Sequence, residues 1–207
     1  MRAISERGAD TTNATARACE RSLDMRRSRK AFIGAGLATA GLAAVAAFRL
    51  RGRHPVGNPH VPDPAKPVDI SRYLGRWFEI ARYDQRFERG CEAATADYSM
   101  RADGKIRVLN RCRKENGKLV EASGMAKIVE PATNAKLKVS FFWPFYGEYW
   151  VVDRSDDYRW SIVGESSGRY LWILSREPHP DDRQVGQLVN RAAELGYDTS
   201  MLVFDKH

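Results

Sequence analysis

Few residues in this chain are suited to acid–base or nucleophilic chemistry, and their positions argue against it. The four histidines, His54, His60, His179 and His207, fall in a proline-rich stretch, a turn and the last position. None is expected inside a core, so no general base, nucleophilic dyad or transition-metal cluster assembles around them. Glu79 lies on an apolar strand and is the one acid expected to point inward, where an ion-paired or hydrogen-bonded carboxylate is the commoner role than catalysis. Asp156-Asp157 resembles a carboxylate pair, but in a turn such aspartates cap backbone groups. No catalytic residue, cofactor or metal is expected. Three cysteines are too few for a disulfide scaffold and lack zinc spacing.

Charge separates the chain into two parts. Of 34 Lys+Arg and 26 Asp+Glu, residues 1–66 hold 12 and 5, leaving 22 and 21 for residues 67–207. The near-neutral second part argues against nucleic acid as a partner. The 18 residues Ala31 to Phe48 carry no charge, and 11 of them are Ala or Gly. Arg26, Arg27, Arg29 and Lys30 precede them, and Arg49, Arg51 and Arg53 follow. Residues 25–53 are therefore expected to be a signal peptide or membrane anchor that directs export, with the following chain on the periplasmic side. Arg26-Arg27 fits a twin-arginine signal only loosely, Ala44-Val45-Ala46 offers a small-x-small cleavage site, and no cysteine follows closely enough to be lipidated. Residues 1–24 read as a disordered or non-native extension. Residues 54–67, with five prolines, read as an extended linker, and residues 68–207 as one folded domain.

Within that domain, short β-rich runs alternate with turn signals too brief for crossover helices. Strands are expected near 77–83, 93–101, 105–112, 118–129, 136–143, 148–153, 158–165 and 169–176, with an extra one at 201–205. The fold class is thus all-β: an eight-stranded antiparallel up-and-down barrel. One C-terminal α-helix, Pro180 to Leu195, packs outside through Val185, Leu188, Val189, Ala192 and Leu195, and the N-terminal hydrophobic segment forms a leader helix.

Alternation selects the inward faces: Ala94, Ala96, Tyr98 and Met100; Ile106 and Val108; Leu137, Val139 and Phe141; Tyr170, Trp172 and Leu174. With Tyr170 left out, these residues together with Ala81, Tyr83 and Tyr149 form the candidate ligand-binding set. Small residues facing large ones leave volume unfilled, and a hollow interior is a ligand site. The turns at 102–104, 131–134 and 155–157 share one end with Trp77 and the close of the eighth strand, so Arg176 is expected to stack on Trp77 and plug that end. The opposite end gathers Arg86, Phe87, Arg89, Arg113, Lys114, Trp143, Phe145, Tyr146 and Arg169. Such a mouth suits a lipid with its tail inside and an acidic head outside, and equally a solvated loop surface of mixed charge, since Glu88, Glu115 and Glu148 lie there as well. Cys91 and Cys112 fall at this open end on neighbouring strands. They can reach disulfide distance, although strict alternation puts them on different faces unless a bulge intervenes. Cys19 has no partner.

The run Tyr73-Leu74-Gly75-Arg76-Trp77-Phe78-Glu79-Ile80-Ala81-Arg82-Tyr83 resembles the opening of lipocalins. Asp157-Tyr158, Arg176 in LWILSREP and the C-terminal helix extend the resemblance, and Leu137 to Val152 resembles the bacterial outer-membrane branch. The resemblance covers residues 68–207. It implies structural roles for Gly75, Trp77, Asp157, Tyr158 and Arg176 in closing the barrel. It also implies carriage of a small hydrophobic or amphipathic ligand, fatty acid or lysophospholipid, in the cell envelope. The remaining partner is the membrane, through the N-terminal segment if that stays uncleaved. A lipocalin-fold enzyme or a surface interaction module is the alternative, and no constellation of residues supports it.

Overall fold

A computed structural model describes residues 55–207. The expected extension, leader and Cys19 lie outside the described residues. A short helix, α1 (Ile70–Tyr73), leads into eight strands: β1 (Gly75–Tyr83), β2 (Cys91–Met100), β3 (Ile106–Lys114), β4 (Leu119–Ile128), β5 (Lys136–Phe142), β6 (Phe145–Arg154), β7 (Trp160–Gly164) and β8 (Leu171–Ser175). Helix α2 (Asp182–Glu194) and a ninth strand, β9 (Leu202–Phe204), follow. Every neighbouring pair is antiparallel, and β1 pairs with both β2 and β8, which closes the barrel. Short turns dictate this result, because a connection of a few residues can only return the chain alongside itself.

Of four register shifts in the sheet, those in β1 and β2 bear most on which residues face inward. Between Glu79 and Ala81, β1 takes two steps while β8 takes one, from Leu174 to Ile173. Alternation inverts there: Trp77 and Glu79 face in, Ile80 and Ala81 both face out, and Arg82 takes the next inward place. In β2 a second bulge lies between Glu92 and Thr95, where Ala93 has a φ of 50°.

Ile80, Ala81 and Tyr83 join Ile162, Leu171 and Ile173 under the apolar stripe of α2, burying Leu188 and Ala192. The helix starts at Asp181, whose carboxylate accepts from the Gln184 N–H at 2.7 Å. Arg191 on the helix reaches the buried Asp153 of β6 at 2.6 Å.

β1 pairs with β2 only from Gly75 to Phe78, and its upper half pairs with β9 from Ala81 to Tyr83. The last residues fill the resulting gap. Asp205 N donates to Ile80 O, and the Asp205 carboxylate accepts from Ala93 N at 3.0 Å and Ala94 N at 2.6 Å. His207 stands edge-on to Phe78 with Nε2 2.7 Å from Glu79 O. His207 is thus packed against the wall rather than idle, whereas His60 and His179 are exposed.

The described part of the expected linker is pinned to the rest of the chain. Gly57 N and Asn58 N both donate to Gly168 O, and buried Asn58 donates from Nδ2 to Leu195 O at 2.9 Å. Gly168 has a φ of +64°, and a Cβ there would lie 1.7 Å from Asn58 O, so only glycine permits the contact.

Candidate functional site

The closed end is built around Arg176. The Arg176 guanidinium lies 3.7 Å from the centre of the Trp77 ring. It donates to the carbonyls of Arg72, Tyr73, Leu74, Arg76 and Tyr158 at 2.6–3.3 Å. Trp77 Nε1 donates to Tyr73 O at 2.9 Å. Gly75, at a φ of +91°, lets the chain turn from α1 into β1 beneath Arg176. Asp157 accepts from Arg159 N in the β6–β7 turn, and the Ser155 hydroxyl, with that bond second to it, lowers its pKa. Buried Tyr158 lies between two guanidiniums, Arg72 at 4.4 Å and Arg154 at 4.3 Å, and its hydroxyl accepts from Asp69 N. Neither arginine was singled out from the sequence, since nothing in their spacing announces a shared ring.

Above this floor a cavity of about 710 Å³ opens at the opposite end. Nine of the expected ligand-binding residues line it: Ala94, Ala96, Tyr98, Val108, Val139, Phe141, Tyr149, Trp172 and Leu174. Five do not. Ala81 and Tyr83 face α2, because the β1 bulge inverts the alternation that was assumed for them. Ile106 and Leu137 belong to the packed floor with Trp77 and Tyr73, below the hollow. Met100 is 51% exposed where β2 leaves the barrel for the Arg101–Lys105 turn.

The structure adds lining residues that were missed. Val120 and Ala122 alternate on β4 and show the i, i+2 signal, but their strand is mostly exposed and its inward face was not assigned. Thr95 and Asn110 join the lining beside the β2 bulge.

Two polar clusters meet this largely apolar space. On the floor, the Tyr73 hydroxyl lies 2.9 Å from that of Tyr149 and 3.1 Å from Ser161 Oγ, with Tyr98 3.0 Å from Tyr149. Burial raises the phenol pKa values, Tyr73 to about 12, so the hydroxyls stay neutral donors. On the wall, Arg82 Nη1 donates to Glu79 Oε1 at 2.7 Å, and Arg82 Nε stands 3.7 Å from Glu88. Trp172 Nε1 donates to Glu88 Oε2 at 3.1 Å. Burial raises the pKa of both carboxyls; the Glu88 charge raises that of Glu79 further and the Asp205 charge that of Glu88, against the pull of Arg82 on both and of the Trp172 N–H on Glu88. Two acids sharing one guanidinium in a low-dielectric wall retain a proton more readily than either would in water.

At the rim, Phe87, Lys114, Phe145 and Tyr146 line the opening, as do Glu148 and Glu165. Trp143 projects from the β5–β6 turn, and Arg86, Arg89 and Arg113 are exposed around the entrance. Arg169 accepts through its carbonyl from Gln85 Nε2. Cys91 and Cys112 are joined, with Cα atoms 5.4 Å apart, and the bulge at Ala93 is what brings them to one side. Among the described residues, no group of three or more His, Cys, Asp or Glu is placed to hold a metal.

Comparison with known proteins agrees with this architecture. Residues 68–207 match the family model described as a lipocalin-like domain. The outer membrane lipoprotein Blc of Vibrio cholerae is 42% identical over 150 residues, covering 70% of this chain and 87% of that protein. Temperature-induced lipocalin-1 of Arabidopsis thaliana is 40% identical over 146 residues, covering 66% and 78%. Insecticyanin of the tobacco hornworm superposes with a TM-score of 0.56 at 21% identity, over 75% of this chain and 87% of that one, a likeness of fold.

Proposed function

The chain belongs to the lipocalin-like family, and from that premise we propose that it carries a single-chain amphipathic lipid, a fatty acid or lysophospholipid, in the bacterial cell envelope. The observation that carries the reading is the 710 Å³ hollow, walled by apolar side chains and open at one end. An acyl chain entering there replaces water against Val108, Val139, Phe141 and Leu174, a gain of roughly 0.8 kcal/mol per buried CH₂. The tail stops at the tyrosine floor, whose hydroxyls are already bonded to one another. The head then lies near the rim, where Lys114 can pair with a carboxylate or phosphate. The two carboxyls in the wall, Glu79 and Glu88, are taken up by Arg82 and Trp172, which supports carriage over catalysis. Export is supported by the likeness to the outer membrane lipoprotein Blc of Vibrio cholerae.

Delipidated protein titrated with a fluorescent fatty acid and a fluorescent lysophospholipid tests the reading. Saturable micromolar binding is expected. Ala96→Trp places an indole in the cavity and should weaken binding at least tenfold with the thermal midpoint retained. Absence of binding to both probes by folded wild-type protein would refute carriage.

A further inference from the structure

Seven of the twelve large hydrophobic residues exposed among the described residues gather at the open end: Phe87, Leu119, Val120, Phe141, Phe142, Trp143 and Phe145. The concentration is sharpest at the tip of the β5–β6 hairpin. Phe142 is 80% exposed, Trp143 81% and Phe145 76%, and Phe142 pairs with Phe145 so that Trp143 and Pro144 form the turn itself. A hairpin tip ordinarily carries small polar residues, because side chains there meet water on every side. Three large rings in that position are costly unless something covers them.

We propose that this tip docks on a lipid bilayer. Phe142, Trp143 and Phe145 enter the headgroup layer and seat the barrel mouth on the membrane, so that ligand passes between bilayer and cavity without crossing water. Two observations select a bilayer over another protein. First, the rings are continuous with the cavity: Phe87, Phe141, Phe142 and Phe145 line it as well as flanking the entrance, so a second copy or a partner protein seated here would stopper the opening. Second, the neighbouring loops are basic. Residues 84–90, 113–118 and 165–170 contain Arg86, Arg89, Arg113, Lys114, Lys118 and Arg169 against Asp84, Glu88, Glu115 and Glu165. Glu165 is buried and Glu88 nearly so, which leaves the outward charge positive. Aromatic rings at the tip with cations set back from them is the arrangement that suits a headgroup layer of anionic lipid. This site is separate from any anchoring by residues 25–53. The transfer route rests on the carrier reading above, whereas the docking does not.

The test uses the full chain and vesicles of phosphatidylcholine with phosphatidylglycerol, some bearing brominated acyl chains. The tryptophans are Trp77, Trp143, Trp150, Trp160 and Trp172, so the leader adds no signal of its own. Bromolipid quenching is expected in the wild type and should disappear in Trp143→Phe, which assigns it to the tip. For transfer, protein loaded with a fluorescent lysophospholipid is mixed with acceptor vesicles. The wild-type rate should rise in proportion to vesicle concentration. In F142S/W143S/F145S it should fall at least tenfold and become independent of vesicle concentration, although the loss of Phe142 and Phe145 from the cavity lining would by itself speed release. Quenching that is absent, or that survives Trp143→Phe, would overturn the docking. So would a wild-type transfer rate indifferent to vesicle concentration, or a wild-type dimer that the triple variant abolishes. Should the probe bind no form of the protein, the carrier reading fails alone, and quenching at Trp143 still decides whether the tip docks.

Discussion

Arg176 illustrates how one side chain can fix a boundary of the binding site. Its guanidinium covers Trp77 and satisfies carbonyls from α1, β1 and the β6–β7 turn at once. Arg176→Met keeps apolar cover but leaves those acceptors unpaired, and is expected to cost about 2–4 kcal/mol in urea unfolding. Arg176→Lys should recover only part of that loss, because an ammonium has three donors and no planar fork. The wall acids act through pH instead. Because burial raises the Glu79 pKa, the folded protein holds that proton more tightly than the unfolded chain does. The stability this provides is complete below the ordinary carboxylate range and is lost as pH rises through the raised value. Glu79→Gln keeps an acceptor for Arg82 and removes the titration. Its thermal midpoint should therefore fall less than the wild type's between roughly pH 5 and pH 9. Equal slopes for the two proteins would show that Glu79 is ionised in both states. Trp77 and Arg176 could be paired from the sequence, since strand count alone brings them to one end. Arg82 and Glu88 could not, because their meeting depends on a bulge and an infolded loop that leave no compositional trace.

At the scale of elements, the two bulges decide more than any residue type. The β1 bulge turned two expected lining residues, Ala81 and Tyr83, into the seat of helix α2. The β2 bulge made possible the Cys91–Cys112 link, which alternation alone would have forbidden. Neither site carries the glycine that often marks such irregularities: Ala93 occupies the positive-φ position itself, held from behind by Asp205. Periodicity therefore located the strands and the helix but could not give the phase of β1 beyond Glu79. The link joins β2 to β3 at the rim across a sequence separation of 21 residues. Its removal in C91A/C112A is expected to cost roughly 3 kcal/mol on the chain-entropy argument. Intact mass with and without reduction before alkylation checks that the bond forms. Alkylation of both cysteines without prior reduction would show that it does not.

For the molecule as a whole, the barrel has two unlike ends: a floor of stacked cations and aromatic rings, and a rim of exposed rings among basic loops. Carriage needs this asymmetry, since a tube open at both ends would leak and one closed at both would never load. The eight strands, the outer helix and the closed end were evident from turn spacing and residue type. The depth of the hollow was not, because Ile106 and Leu137 are as apolar as the residues above them and differ only in height along the axis. One further detail governs how the protein can be handled. His207 is tucked against Phe78 with its side chain only 7% exposed, and Asp205 and Lys206 complete the contact between β1 and β2. An affinity tag fused after His207 would have to leave from inside that join, prising apart the wall whose ligand capacity was to be measured. Purification handles belong upstream of Pro55.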